Sequence, residues 1–246
     1  DTVTTDGTFT VTQGKLEGLS LSSIDFDGSN EYIDMGTGLH AAFFNGRTAL
    51  TCSAWINPDD VDGTQPIFSN TTNSNGQLIF TLSGANLGVG IVASGGWTND
   101  YTMGTIAANK WQHVAFTYDG ANVVAYIDGV RTDSFAKTGG IALENAEQAF
   151  TIGEKTDTNE NFDGNIRDVR MYGHACSADQ IASLYSGSYN VTPAYWWKLD
   201  EGHATAALNN ASGAFEDSGT NTDLDGQGDS LVDASCVNGG LIVTQP

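Results

Sequence analysis

Apolar residues in this chain alternate with polar ones far more often than they recur at every third or fourth position. In residues 50–56 (LTCSAWI), Leu50, Cys52, Ala54 and Ile56 fall on one face, as the period of a half-buried strand requires. Similar runs lie at 8–12, 77–82, 87–92, 111–118, 123–127, 150–153 and 166–172. Turn residues separate them. Ser83-Gly84-Ala85-Asn86 divides 77–82 from 87–92, and Asp119-Gly120-Ala121-Asn122 divides 111–118 from 123–127, a strong hairpin signal. Many short strands with turns between them predict an all-β sandwich or barrel. One stretch breaks the pattern. Ser177-Ala178-Asp179-Gln180 is a capping-box sequence, and Ile181, Leu184 and Tyr185 then recur at helical spacing. This predicts one short helix near residues 178–185, packed on an edge of the sandwich.

The last part of the chain differs in texture. Residues 195–199 (YWWKL) form a strand candidate, 209–229 are polar and acidic, and 241–244 (LIVT) are apolar again. Val11-Thr12-Gln13 and Val243-Thr244-Gln245 echo each other, a weak hint of a repeated unit. We divide the chain into an N-terminal strand segment (1–23), a main domain (24–190) and a C-terminal segment (191–246).

Composition narrows the function classes. The 246 residues suit one large β domain or a domain with an appendage, and 39% hydrophobic content argues against disorder of the whole. Glycine is abundant (30) and proline scarce (4), as a turn-rich β protein needs. With 9 Lys+Arg against 30 Asp+Glu, the net charge is −21. Such a field repels phosphate backbones and anionic headgroups, so we expect no nucleic-acid partner. The acidity reads either as solubility in a salty medium or as carboxylates that hold calcium, which prefers hard oxygen ligands. No run approaches the roughly 18 apolar residues of a membrane span, so no membrane insertion is expected. Three cysteines make a poor disulfide framework: Cys52 reads as a small buried hydrophobe, and Cys176 with Cys236 is left open as a pair. No signal peptide is visible and the chain starts at Asp1 rather than Met, so it reads as a processed product or an expression fragment, and its location is not readable from a targeting signal.

From residue 24 to 185 the chain resembles the laminin-G-like jelly rolls of the concanavalin-A-like lectin/glucanase superfamily. Five motifs in order carry the resemblance: Phe26-Asp27-Gly28-Ser29-Asn30-Glu31-Tyr32-Ile33, Ser53-Ala54-Trp55-Ile56-Asn57-Pro58, 111–120 (WQHVAFTYDG), Ala125-Tyr126-Ile127-Asp128-Gly129, and 162–172 (FDGNIRDVRMY). Each pairs a strand with an Asp-Gly or Asn-Pro turn, as an antiparallel sandwich demands. The resemblance implies an antiparallel jelly-roll sandwich. It says less about function, because one fold hosts many. It also implies a structural calcium ion where Asp27, Asn30 and Asp168 would meet. On the residues alone, Asp27 serves equally well as the cap of its own turn. A second calcium candidate is Asn221, Asp223, Asp225 and Asp229, with oxygen ligands on alternate residues before a glycine; it lacks the closing Glu, and a polar turn competes with it. Residues 197–202 (WKLDEG) and 216–219 (EDSG) resemble the opening of such a module, yet stand near the end. The C-terminal segment therefore completes its own sandwich, starts a second unit or docks on a neighbour.

Catalytic chemistry is not visible. Glycosidases of this superfamily carry carboxylates on alternate positions of one strand, and no Glu-x-Asp-x-x-Glu pattern occurs. His40, His113, His174 and His203 are scattered, and neither a nucleophile elbow nor a metalloprotease helix is present. Glycan binding needs an aromatic platform beside amide and carboxylate groups. Residues 95–101 (GGWTNDY) supply one, with Trp97, Asn99, Asp100 and Tyr101 as candidate ligand-binding residues. The competing reading folds Trp97 onto the sandwich edge. The expected function is a non-enzymatic module for glycan recognition or adhesion, with carbohydrate as partner and an extracellular, cell-surface or virion-surface setting. A self-assembling structural protein, homo-oligomeric through its terminal strands, is the alternative; a glycosidase or lyase is the third.

Overall fold

The structure, a computed structural model, describes residues 11–12, 15–16, 23–29, 31–35, 43–71, 78–94, 96–142, 149–155, 160–199, 231–232 and 235–237. In chain order the strands are β1 (Val11–Thr12), β2 (Lys15–Leu16), β3 (Ser23–Asp27), β4 (Tyr32–Asp34), β5 (Leu50–Pro58), β6 (Thr64–Ser69), β7 (Leu78–Ser83), β8 (Asn86–Ala93), β9 (Gly96–Asp100), β10 (Gln112–Tyr118), β11 (Asn122–Ile127), β12 (Val130–Ala136), β13 (Thr151–Ile152), β14 (Glu154–Lys155), β15 (Glu160–Asn161), β16 (Asp163–Tyr172), β17 (Tyr195–Trp197), β18 (Leu231–Val232) and β19 (Ser235–Val237). One helix, α1 (Ala178–Tyr185), lies between β16 and β17.

Two antiparallel sheets face each other. The first runs β12-β11-β10-β5-β16-β3-β19, with β17 as a further partner of β16; the second runs β18-β4-β13-β6-β7-β8-β9. This is the all-β jelly-roll sandwich that the alternating pattern and the resemblance predict. The period of two delivers one face of each strand to a common core: Cys52, Ala54 and Ile56 from β5, Val114 and Phe116 from β10, Leu78, Phe80 and Leu82 from β7, and Leu87, Val89 and Ile91 from β8. Phe116 crosses the gap between the sheets, 6.3 Å from Phe68 and 5.1 Å from Phe80 by ring centroids.

The helix forms where its cap predicts. The Ser177 side chain accepts from the Gln180 backbone N–H while the Gln180 side chain accepts from Ser177 N–H, so two otherwise unpaired helix-end donors are satisfied. Ile181 and Leu184 then bury against Ala115, Tyr126, Tyr172 and Cys176 on the outer face of the first sheet. Cys52 and Cys176 are buried free thiols.

β16 is interrupted by a bulge. Against β5, Arg167 pairs with Trp55 but Arg170 pairs with Ser53, so two residues of β16 oppose one of β5. Asp168 takes up the excess in the left-handed region at φ 54°. The bulge sits where the other neighbour of β16 changes. β3 pairs with Asp163, Gly164, Asn165 and Ile166, and β17 pairs with Val169, Arg170 and Met171. The strand predicted at 195–199 is thus β17, paired within the same chain, while β19 lines the far side of β3 and β18 pairs with β4. The apolar segment 241–244 lies outside the described residues.

Candidate functional site

The segment predicted to carry a ligand is β9, at the edge of the second sheet. Its register on β8 sets which side chains share a face. Asn99 opposes Gly90 and Trp97 opposes Val92, so these point to the outer surface; Asp100 opposes Val89, which faces the core. Two outward positions of β8 are glycines, and their lack of a side chain is what the aromatic rings use. A β-carbon on Gly90 would fall 2.6 Å from Cη2 of Trp97, and one on Gly88 would fall 2.5 Å from Cδ1 of Tyr101. Both rings therefore lie directly on the backbone of β8. Trp97 remains 41% exposed, and its indole N–H donates to Asn99 Oδ1 at 2.9 Å. This uses the Asn99 oxygen and leaves its amide nitrogen as a donor.

Neighbouring residues hold this surface in place. The buried Lys137 donates through Nζ to the Gly96 carbonyl and, at 3.2 Å, to Thr98 Oγ1, fixing the start of β9. Burial raises the Tyr101 phenol pKa, and the nearby Glu160 carboxylate raises it further. Glu160 belongs to the β14–β15 hairpin beside β6 and pairs with Lys155 at 2.7 Å. Replacing Gly90 with alanine should push the Trp97 ring off the sheet. We expect the intrinsic fluorescence of Gly90→Ala to shift toward that of a more exposed indole, and an unchanged spectrum would show that the ring does not depend on this seat.

The structure thus brings together three of the four predicted binding residues, Trp97, Asn99 and Tyr101. The fourth is placed differently. Asp100 points to the opposite side, and its Oδ1 accepts from Thr102 N–H at 2.8 Å and Thr102 Oγ1 at 2.7 Å, which makes it the cap of the following turn. Gly88, Gly90 and Lys137 were not foreseen. The signal for the glycines was in residues 87–91 (LGVGI), where glycine takes every outward position.

The two described members of the first calcium candidate stand apart. Asp27 pairs with Asp163 in the ladder, and Asp168 stands five positions further along β16, roughly 15 Å away at the rise of a strand. Asp168 is also fully engaged. Its Oδ1 accepts from the Trp196 indole at 2.6 Å and from Arg170 Nε at 2.7 Å, and its Oδ2 accepts from the other arm of Arg170 at 2.9 Å. Asp27 Oδ1 accepts from Ser29 N–H at 2.9 Å, the turn-capping role. Asn30, Asn221, Asp223, Asp225 and Asp229 lie outside the described residues. The carboxylates that do gather near Asp27 repel one another. Asp163 has its pKa raised by burial and then by Asp60, Asp59, Asp25 and Asp27, and Asp25 by burial and then by Asp59. Among the described residues, no three His, Cys, Asp or Glu side chains converge to hold an ion.

Residues 27–182 match a laminin-G family model whose description is the concanavalin A-like lectin/glucanases superfamily. The chain belongs to this superfamily. The matched span lies within the 24–185 stretch whose motifs carried the resemblance. No curated protein matches the chain. Among solved structures of similar fold, a Bacteroides ovatus protein assigned to carbohydrate binding shares 21% identity at a TM-score of 0.59, covering 78% of this chain and 56% of that one. This superfamily member therefore spans little more than half of the Bacteroides protein. Domain 4 of the extracellular arabinanase AbnA from Geobacillus stearothermophilus, in complex with arabinotriose, shares 22% identity at a TM-score of 0.51, covering 66% and 76%. The CBM40 of the Ruminococcus gnavus IT-sialidase, bound to α2,3 sialyllactose, shares 11% at 0.51, covering 66% and 95%. At these identities the likeness to each is one of fold.

Proposed function

We propose that this chain is a non-catalytic glycan-recognition module whose binding surface is the outer face of β8 and β9. The observation that carries the reading is the exposed Trp97 ring seated on Gly90, with Asn99 and Tyr101 on the same face. A flat ring takes the apolar face of a pyranose, and the amide and phenol beside it suit the ring hydroxyls. The glycan-bound proteins of similar fold support this class of ligand. The setting we infer is extracellular or at a surface, where such ligands are displayed.

The self-assembly alternative has less support, because β17 and β19 already pair with β16 and β3 of their own chain. The deciding experiment is retention on a glycan array together with solution mass by light scattering. We expect saturable retention by a monomer, with no reducing sugar released from the retained glycan. Absence of retention, with an open-ended assembly, would overturn the reading in favour of a structural protein. Release of sugar would overturn its non-catalytic part. Calcium enters this reading only as a structural stabiliser: added to chelated protein it should raise the melting temperature by mass action, and an unchanged melting temperature would remove the ion from the reading.

A further inference from the structure

The outer face of the first sheet carries a second aromatic surface, away from Trp97. Register sets Asn165 beside Asn57 in one row, and Arg167, Trp55 and His113 in the next. Trp111 follows as the residue before Gln112, which pairs with Ile56. The Arg167 guanidinium lies over the Trp111 ring, 4.3 Å from its centroid, and against Trp55 at 5.4 Å. Arg170 and Lys198 lie over Trp196 at 4.5 Å and 5.0 Å. Three of the chain's 9 Lys and Arg thus gather on one face of a molecule of net charge −21.

Arg167 and Arg170 differ in what answers their charge. Arg170 holds Asp168 with two arms. Arg167 makes no ion pair among the described residues, and its Nε is buried without a hydrogen-bond partner. Asn57 Oδ1, diagonal to it on the neighbouring strand, is also buried without a partner. The site therefore holds an unanswered donor, Arg167 Nε–H, an unanswered acceptor diagonal to it, Asn57 Oδ1, and two partly exposed indoles, of which Trp55 also stacks on Tyr185 at 5.6 Å. We propose that Arg167 anchors the carboxylate of an acidic sugar, of the uronic- or sialic-acid class. A carboxylate matches the guanidinium fork in two places, the indoles line an apolar ring face, and Asn57 Oδ1 takes a hydroxyl. Charge selects a single carboxylate over an acidic polymer, because the field of the whole molecule repels a polyanion. The site lies on the sheet opposite to Trp97 and does not rest on the reading of that surface.

The test uses the full chain carrying Trp97→Ala, so that it reports on Arg167 alone. Sodium glucuronate and sodium N-acetylneuraminate are the probes; glucose, and sodium chloride at matched ionic strength, are the controls. The readout is the Nε–H resonances of the four arginines in a nitrogen-15 spectrum. We expect a saturable shift of the Arg167 resonance with an acidic sugar and none with the controls. Arg167→Lys, which keeps the charge and loses the fork, should bind at least tenfold more weakly by tryptophan fluorescence. If that variant fails to fold, Asn57→Ala should weaken binding in the same titration. An unmoved Arg167 resonance, or an equal shift of the exposed Arg131, overturns the proposal. Neutral-glycan retention by the wild-type protein is a separate measurement and decides the Trp97 reading.

Discussion

Trp97→Ala should abolish measurable retention on whichever glycan the wild-type protein binds, while its melting temperature moves by a few degrees at most. The two halves of this expectation have different physical origins. Retention depends on a flat apolar surface, and the ring is the large exposed aromatic of β9. Removing a central aromatic anchor typically costs 2 kcal/mol or more, about a thirtyfold loss of affinity, which takes a weak glycan interaction below detection. Stability depends on the core, and Trp97 stands outside it, on the outer face of an edge strand. Trp97→Phe keeps a smaller ring on the same glycine seat and should retain part of the binding. Undiminished retention by Trp97→Ala, measured on the same array, would remove β9 from the binding surface.

Mild acid should destabilise the fold through His113. This imidazole is buried, with Nδ1 unpartnered, on the outer face of the first sheet, edge-on to Trp55 at 5.5 Å. Burial lowers its pKa from 6.5 to about 4; Asp168 opposes the shift and Arg170 adds to it. Between those values the unfolded chain holds a proton that the folded chain does not. The stability is therefore fully present above pH 6.5 and is lost as the pH falls toward 4. A depression of this size corresponds to about 3 kcal/mol. Asp25 and Asp163, whose pKa values are raised, act in the opposite sense and gain stability on acidification. Urea midpoints at about pH 7 and about pH 4.5 isolate the imidazole when wild type is compared with His113→Phe. The phenyl ring fits a site with no hydrogen bond to Nδ1, so the variant should lose much less stability between the two pH values. Equal losses in both proteins would assign the acid sensitivity elsewhere.

These two residues show how unevenly the sequence disclosed the molecule. Strands, turns and the α1 cap were legible because their signals are local: alternation over five to eight residues, an Asp-Gly turn, a Ser and a Gln three positions apart. Trp97 was legible as an aromatic in a glycine-rich loop, although that segment proved to be a strand. Asp100 was grouped with Trp97 because the two stand three positions apart, and only register shows that its side chain is on the other face. Asp27 and Asp168 were brought together by resemblance and separated by the ladder, which no local rule predicts. The bulge left a trace that is clear in hindsight. Ile166, Val169 and Met171 all face the core, so the alternation changes phase between 166 and 169. Its partners, Trp196 and the Lys198 carbonyl, lie about thirty positions away and could not be read locally.

The way β3 and β17 divide one side of β16 has a consequence for how the chain is threaded. β17 runs down β16 from Met171 to Val169, and β3 continues in the same direction from Ile166 to Asp163. The end of one lies next to the start of the other, so the two behave as a single strand cut in the middle. Joining the chain just after residue 199 to residue 23 would heal that cut, and the segment that resembles a module's opening would then stand ahead of β3. The fold is in this sense a ring of strands, and its order in space is indifferent to which bond is left open. New ends placed at an exposed turn, such as that at Asp119 and Gly120, would make a circular permutant that keeps both sheets except for their edge strands β18 and β19.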